Sequence, residues 1–439
     1  MQQNAAMRKR IEAKIFVWLV VPVAFITFIN SIDRVNISYA GYSLSAELGL
    51  APDQFGLGIS MFFLAYLIFQ YPHARLLHRA GIRFWLFSAM TLWGISGLWM
   101  SRISSREEFY AARFLLGMAE AGLAPAMTWY IAQWTPPWAR ARAMAGVLIA
   151  VPLSMVAGGP LCGWLLGLGD IFGLMPWRSM FLILAFPNFV LAVLAGFYFV
   201  DHPAQAHWLN ERERQWLAQE LSAETEATTA AASMRELLRE PWLWRCATTW
   251  FLLMTGSYAL VYWLPQLVRQ LAANNSEFVI ASISAFPLAG LALGLVLNSK
   301  HSDRSGERLL HVGLASAGGG LALFIAAWLG TGWAVLLLLF AAGFGIGAAQ
   351  GVFWAIPGSV KLGGLQTPVE AIALISMFGT AGGIVGPWLI GFMLNRTGSF
   401  GMAIAILAAL LVLALFTIAY DQFGNSKSNL NNTGTKHLP

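Results

Sequence analysis

Charge is what this 439-residue chain has least of: 11% of its residues are Asp, Glu, Lys or Arg, against 58% hydrophobic. Soluble domains carry about 25% charged residues, so a soluble globular class is excluded. Cysteine is scarce too. Cys162 and Cys246 both fall in apolar runs, which excludes a disulfide-stapled module. No G-x-x-x-x-G-K-[S/T] stretch occurs, so ATP-driven transport through a phosphate-cradling loop is excluded. No His/Glu/Cys cluster offers a nucleophile, base or metal set near the middle of a membrane. Neither membrane-embedded enzyme chemistry nor a cofactor or metal is therefore expected. The first apolar run starts at Ile15, is too long for the core of a secretory leader and is followed by no A-x-A-like site. It is read as an uncleaved first span.

What is present is a series of twelve apolar stretches, near 15–42, 54–77, 84–101, 107–133, 144–168, 178–200, 243–267, 278–300, 309–329, 331–357, 368–394 and 400–420. About 20 apolar residues cross a bilayer as a helix. The stretches are too long for tilted barrel strands and lack their alternation. The expected fold is an all-α membrane protein of twelve transmembrane helices. Of the 27 Lys and Arg residues, twenty lie on the side of the N-terminus. Five (Arg102, Arg106, Arg178, Arg269, Arg396) lie on the other side, and Arg34 and Arg113 lie inside spans. Positive loops stay in the cytoplasm, so both termini are expected there. The net charge of +6 is then a loop property and calls for no nucleic acid.

The longest loop, 201–242, separates the spans into halves at 1–200 and 243–420, and a polar tail at 421–439 is expected to be disordered. Two readings stand for "WLNERERQWLAQEL" in that loop. It is an amphipathic helix with Trp208, Trp216 and Leu217 on the membrane surface, or a solvated linker helix. The halves repeat. "AGGPLCGWLLG" at 157–167 matches "AGGIVGPWLIG" at 381–391, and "RAGIR" at 79–83 matches "RSGER" at 304–308, at offsets of 224 and 225. Such parallel repeats characterise major facilitator transporters, and they argue against a channel. The glycines read as close-packing positions. Arg79, Arg83, Arg304 and Arg308 of the R-x-G-x-R turns are candidate gate residues, able to bond helix-end carbonyls and carboxylates. Asp303 supplies a carboxylate in the second turn, where the first has His78.

Four charges lie well inside spans: Asp33 and Arg34 in the first, Arg113 and Glu120 in the fourth. Each costs roughly 2.5–3.5 kcal/mol at a helix centre, or on the order of 10 kcal/mol together. They must therefore face a bundle interior or a wet cavity. Arg113 and Glu120 are seven residues apart and project from one helix face, whereas Asp33 and Arg34 diverge by about 100°. Structural ion pairs, such as Asp33 with Arg113, are one reading. Function is the other, and it is favoured because buried ion pairs stabilise poorly. Arginine offers a permanently charged fork matched to a carboxylate, and carboxylic acids exchange protons. Two arginines would bind an anion while two acids carry protons, each acid releasing an arginine when protonated.

"IDRVNI" at 32–37, "ARFLLGMAEAG" at 112–122, "HSDRSGER" at 301–308 and "FWAIP" at 353–357 resemble motifs of the anion:cation symporter branch of the major facilitator superfamily. The linker opening "FVDHPAQAHWL" at 199–209 is similar to that of relatives for tartrate, sugar acids and hydroxyphenylacetate. The resemblance implies import of a small organic anion with protons by a monomer in a bacterial inner membrane. It also implies that Asp33 and Glu120 are the coupling acids and Arg34 and Arg113 the substrate arginines. Tyr258 and Tyr262, four apart in the seventh span, and Gln350 in the tenth either bond the substrate or belong to packing and interface aromatics. A proton-independent facilitator or exchanger would use the same cavity.

Overall fold

The computed structural model describes residues 2–222, 234–330, 332–359, 361–362, 365–366 and 369–432. The helices of the first half are α1 (Gln2–Ile15), α2 (Val21–Leu48), α3 (Pro52–Met100), α4 (Arg106–Glu120), α5 (Leu123–Trp134), α6 (Pro137–Leu148), α7 (Ala150–Gly167) and α8 (Pro176–Tyr198). A π-helical turn, Phe16–Val20, joins α1 to α2. The linker carries α9 (Glu211–Ser222) and α10 (Met234–Leu237). The second half holds α11 (Pro241–Leu271), α12 (Glu277–Ser305), α13 (Leu309–Leu329), α14 (Trp333–Phe353), α15 (Ala355–Ser359), α16 (Val369–Thr397) and α17 (Phe400–Asn432). Apart from a two-residue ladder, Lys361–Leu362 with Leu365–Gln366, the described residues form no strands.

Among the described residues, ten helices are long and apolar enough to cross a membrane, and twelve expected spans fit them with two adjustments. The second and third spans run on as one 49-residue helix, broken only where Gly81 takes φ 77° and ψ 172°. Only glycine adopts such a conformation cheaply. The fourth span is divided between α4 and α5 at Ala121–Gly122, so neither piece alone reaches span length. Local chemistry sets several ends. Helices α3, α6, α8 and α11 open on proline, which has no N–H to leave unpaired. Helix α4 is capped by Ser105, whose side chain accepts from the Glu108 N–H. Helix α2 stops at Gly49, at φ 63°, with its N–H on the Ser45 carbonyl.

The chain forms two compact units. Unit 1 comprises residues 1–50, 57–230 and 274–285, and unit 2 comprises 51–56, 231–273 and 286–439. Each unit thus takes in a short piece of the other half. In unit 1, α2 packs on α7. In unit 2, α11 packs on α16 and α17, and α13 on α14 and α17. The repeated glycines sit at close approaches. A methyl group on Gly159 would press on the Ala281 carbonyl oxygen, and one on Gly382 on that of Phe251. This is the small-residue packing that lets helices touch through their backbones.

Helix α9 docks on protein through one face. Asn210 and Glu213 cap it reciprocally, with N–H to oxygen distances of 2.9 Å each way. The Glu213 side chain is 1% exposed and takes Lys14 at 2.7 Å and Arg10 at 3.0 Å. Leu217 is buried, and Trp208 stacks on Trp18 and Trp134. A buried carboxylate answered by α1 lysine and arginine fixes the helix against protein. Helix α17 runs to Asn432, and the rest of the expected tail, 433–439, lies outside the described residues.

Candidate substrate and proton site

All four buried charges belong to unit 1, and the structure pairs them differently from the ion pair considered above. Arg34 donates from Nε and Nη2 to Glu120 Oε2, at 3.1 and 3.0 Å. Glu120 is fully buried, while the Arg34 side chain keeps 25% of its surface exposed. Asp33 turns the other way, as the divergence of neighbours on a helix requires. Its Oδ2 accepts from Asn188 Nδ2 at 2.6 Å, inside the unit. Arg113 is fully buried, and its guanidinium carbon lies 5.1 Å from the centre of the Phe62 ring. The Arg34 guanidinium carbon lies 5.4 Å from the same ring and 5.3 Å from that of Tyr66. Such contacts contribute about 0.5–2 kcal/mol each, most where water is excluded. Two cations are thus gathered on one aromatic side chain, with one carboxylate beside Arg34.

The break between α4 and α5 sets where Glu120 stands. Helix α4 ends at Glu120, and its late carbonyl at Met118 is met by His73 Nε2 at 2.8 Å. Trp85 Nε1 donates to His73 Nδ1 at 2.9 Å. Indole nitrogen only donates, so the proton of this imidazole sits on Nε2. A side chain on Gly122 would collide with His73 and Trp85. The motif "GMAEAG" is therefore a helix end braced by a histidine, with the acid at its last position.

In unit 2, Tyr262 is buried and Tyr258 half-buried, and their rings lie 6.4 Å apart on one face of α11. Gln350 lies on α14, and its Nε2 is buried with no hydrogen-bond partner. The neighbouring aromatics pack: Trp250 stacks on Phe353 at 4.6 Å and meets Trp354 at 4.9 Å.

The two R-x-G-x-R turns are closed by different carboxylates. In the second, Arg308 Nη1 bonds Asp303 at 2.6 Å and Ser302 Oγ at 3.0 Å, while Arg304 is exposed. In the first, Arg83 donates to the Gly196 carbonyl at 2.7 and 3.1 Å, and Arg79 is exposed. His78 stacks edge-on with Trp129. The acid at this turn is Asp201, just past α8, which accepts from the Ile82 N–H at 2.7 Å and the Arg83 N–H at 3.4 Å.

Sequence reasoning missed Asn188, Phe62, Tyr66 and Asp201. An asparagine in the apolar run "AFPNFVLA" was a signal for the first, because a buried amide needs a partner. Phe62 and Tyr66 carried none, since aromatics are common throughout the spans.

Helical spans with paired charges buried among them define a class, the multi-pass secondary transporters. The chain belongs to the Major Facilitator Superfamily, whose family model matches residues 23–361. A putative tartrate transporter of Agrobacterium vitis is 34% identical over 421 residues, covering 94% of each chain. A quinolone resistance transporter of Acinetobacter baumannii is 30% identical, covering 94% of this chain and 96% of the relative. The crystal structure of a D-xylose-proton symporter superposes with a TM-score of 0.75 at 16% identity, over 92% of this chain and 97% of the other. That likeness shows the fold. The protein is a membrane transporter, not an enzyme.

Proposed function

We propose that this transporter imports a small organic anion together with protons across a bacterial inner membrane. The observation that carries the reading is the buried pair of Arg34 and Glu120. An ionised Glu120 holds the guanidinium that a substrate carboxylate would occupy. A proton on Glu120 removes that competing charge, and Arg34 then turns its fork to the substrate. Arg113, on the same aromatic ring, supplies the second positive charge. Asp33 is the second proton carrier, and Tyr258, Tyr262 and Gln350 are further substrate contacts. Arg79, Arg83, Asp303, Arg304 and Arg308 serve the cytoplasmic gate. The relative named for tartrate supports a carboxylate substrate. Both termini face the cytoplasm, and the chain works as a monomer.

The test uses purified protein in proteoliposomes, with tartrate and a panel of sugar acids and aromatic acids as substrates. Glu120→Gln resembles the protonated acid permanently. It should retain substrate counterflow and lose accumulation driven by a pH gradient. Accumulation at the wild-type level would remove Glu120 from coupling, and wild-type uptake that survives an uncoupler would favour a facilitator or exchanger. Orientation is read by thiol labelling of Asn275→Cys from outside and Arg212→Cys from inside. The native Cys162 and Cys246 are buried.

A further inference from the structure

Asn188 is the one polar side chain seen to hold Asp33, and its amide is only half used. Its Nδ2 donates to Asp33 Oδ2 at 2.6 Å and to the Leu184 carbonyl at 3.3 Å. Its Oδ1 is buried with no hydrogen-bond partner. Asn188 itself is 2% exposed and Asp33 7%. A buried amide oxygen left without a donor costs about 1–3 kcal/mol, and such orphans call for an explanation. The partner that would satisfy it is chemically specific. An ionised carboxylate only accepts, so it can use the amide N–H alone. A protonated carboxyl also donates, and an acid and a primary amide then pair through two hydrogen bonds, N–H to oxygen and O–H to oxygen.

We propose that Asn188 is the positioning residue for the proton on Asp33. It holds the ionised acid through Nδ2, and it accepts the acid proton on the buried Oδ1 once Asp33 is protonated. The pair has one bond without the proton and two with it. No proton leaves Asp33 in this exchange, and no covalent bond changes except the O–H that forms on protonation. Asn188 therefore contributes to coupling without touching substrate. The neighbouring Leu184 carbonyl accepts from the same amide nitrogen at 3.3 Å and steadies it. The inference rests on Asp33 as a proton carrier, as proposed above.

Infrared difference spectroscopy on the purified full-length protein tests it without transport. The carboxyl C=O band that appears on acidification and is missing from Asp33→Asn reports protonated Asp33. Asn188→Leu, similar in volume, removes both amide bonds and should move that band to higher wavenumber. Asn188→Ser, which keeps a hydroxyl, should move it less and carries the test if the leucine variant fails to elute as a single species. In proteoliposomes, Asn188→Leu should displace the pH midpoint of gradient-driven uptake by about one unit, the scale of a charge-assisted hydrogen bond. In an Asp33→Asn background, where that carboxyl band is absent, it should move no carboxyl band. A band and a midpoint unmoved in Asn188→Leu would overturn the proposal while leaving coupling intact. A wild type with no Asp33 band and no proton dependence would overturn both.

Discussion

The two units use long apolar helices alike and furnish their interiors differently. Unit 1 buries two arginines and two carboxylic acids, tied together through Phe62, Asn188 and the Arg34–Glu120 pair. The candidate groups of unit 2 are two tyrosine hydroxyls and an amide. Charge in a membrane must be answered by charge or dipole at contact distance, so unit 1 is constrained at every position. Neutral polar groups carry a smaller penalty and tolerate change. Under the proposed function, recognition of an anion and its coupling to protons fall to the charges of unit 1, and discrimination among anions to Tyr258, Tyr262 and Gln350.

The sharpest way to break this contrast is through the arginines. Arg34→Lys and Arg113→Lys keep the charge and lose the planar fork. Each should weaken substrate binding by about 1.5–3 kcal/mol, the scale of hydrogen bonds to charged groups. Titration calorimetry with the transported acid would read this loss, and wild-type affinity in either variant would take that residue out of the substrate site. Next come Tyr258→Phe, Tyr262→Phe and Gln350→Leu. Each removes a neutral hydrogen-bonding group and should cost about 0.5–1.5 kcal/mol, with larger differences between substrates than for any one substrate. Effects larger than those of the arginine variants would invert the division of labour.

A smaller contrast concerns the two turns. Asp201→Ala strips two backbone N–H groups beside Gly81 and should lower stability by about 1–3 kcal/mol. Asp303→Ala breaks a pair whose carboxylate side chain is 69% exposed, worth about 0.2–1 kcal/mol. Thermal unfolding in detergent would rank them, and equal shifts would mean that the turns are equivalent. The finest effect is one of pH. Burial pushes the Glu213 carboxyl up, but hydrogen bonds from Lys14 and the Asn210 N–H, with the charges of Lys14 and Arg10, outweigh it. The acid is held below its ordinary 4.5. A depressed folded-state value gives stabilisation that is complete above the unfolded value and lost as pH falls through the folded one. Hydrogen-exchange protection in α9, corrected for the intrinsic pH dependence of amide exchange, should be high at neutral pH and fall on acidification below that range. Protection that ignores pH would disconnect Glu213 from the docking of α9.

The spans, the repeat and the four buried charges could be read from the chain because lipid penalises polarity at every crossing position. Asp33 and Arg34 stand out in "NSIDRVNI" for that reason alone. Which acid meets which arginine could not be read. That choice depends on helix rotation, which put Asp33 toward Asn188 in α8 and Arg34 toward Glu120. The Asp201 contact lies 119 residues from Ile82, beyond any local pattern. The break after Glu120 left only a weak trace in Gly122, because the histidine that braces it is 47 residues earlier in the chain.

The docking of α9 has a consequence for how the chain may be divided. Its cap, its buried carboxylate and its tryptophan stack all answer to residues before 209 and to the helix itself. Residues 201–222 of the connection are therefore no neutral tether. They are an appendix of the amino-terminal half, folded back on the segment that leads into the first crossing. A polypeptide ending at Ser222 should carry Arg10, Lys14 and Asn210, which hold Glu213. Co-expressed with a second polypeptide beginning at Met234, it should reassemble a working transporter. Cutting the same chain before Asn210 should leave Lys14 with the Trp208 carbonyl but without its carboxylate.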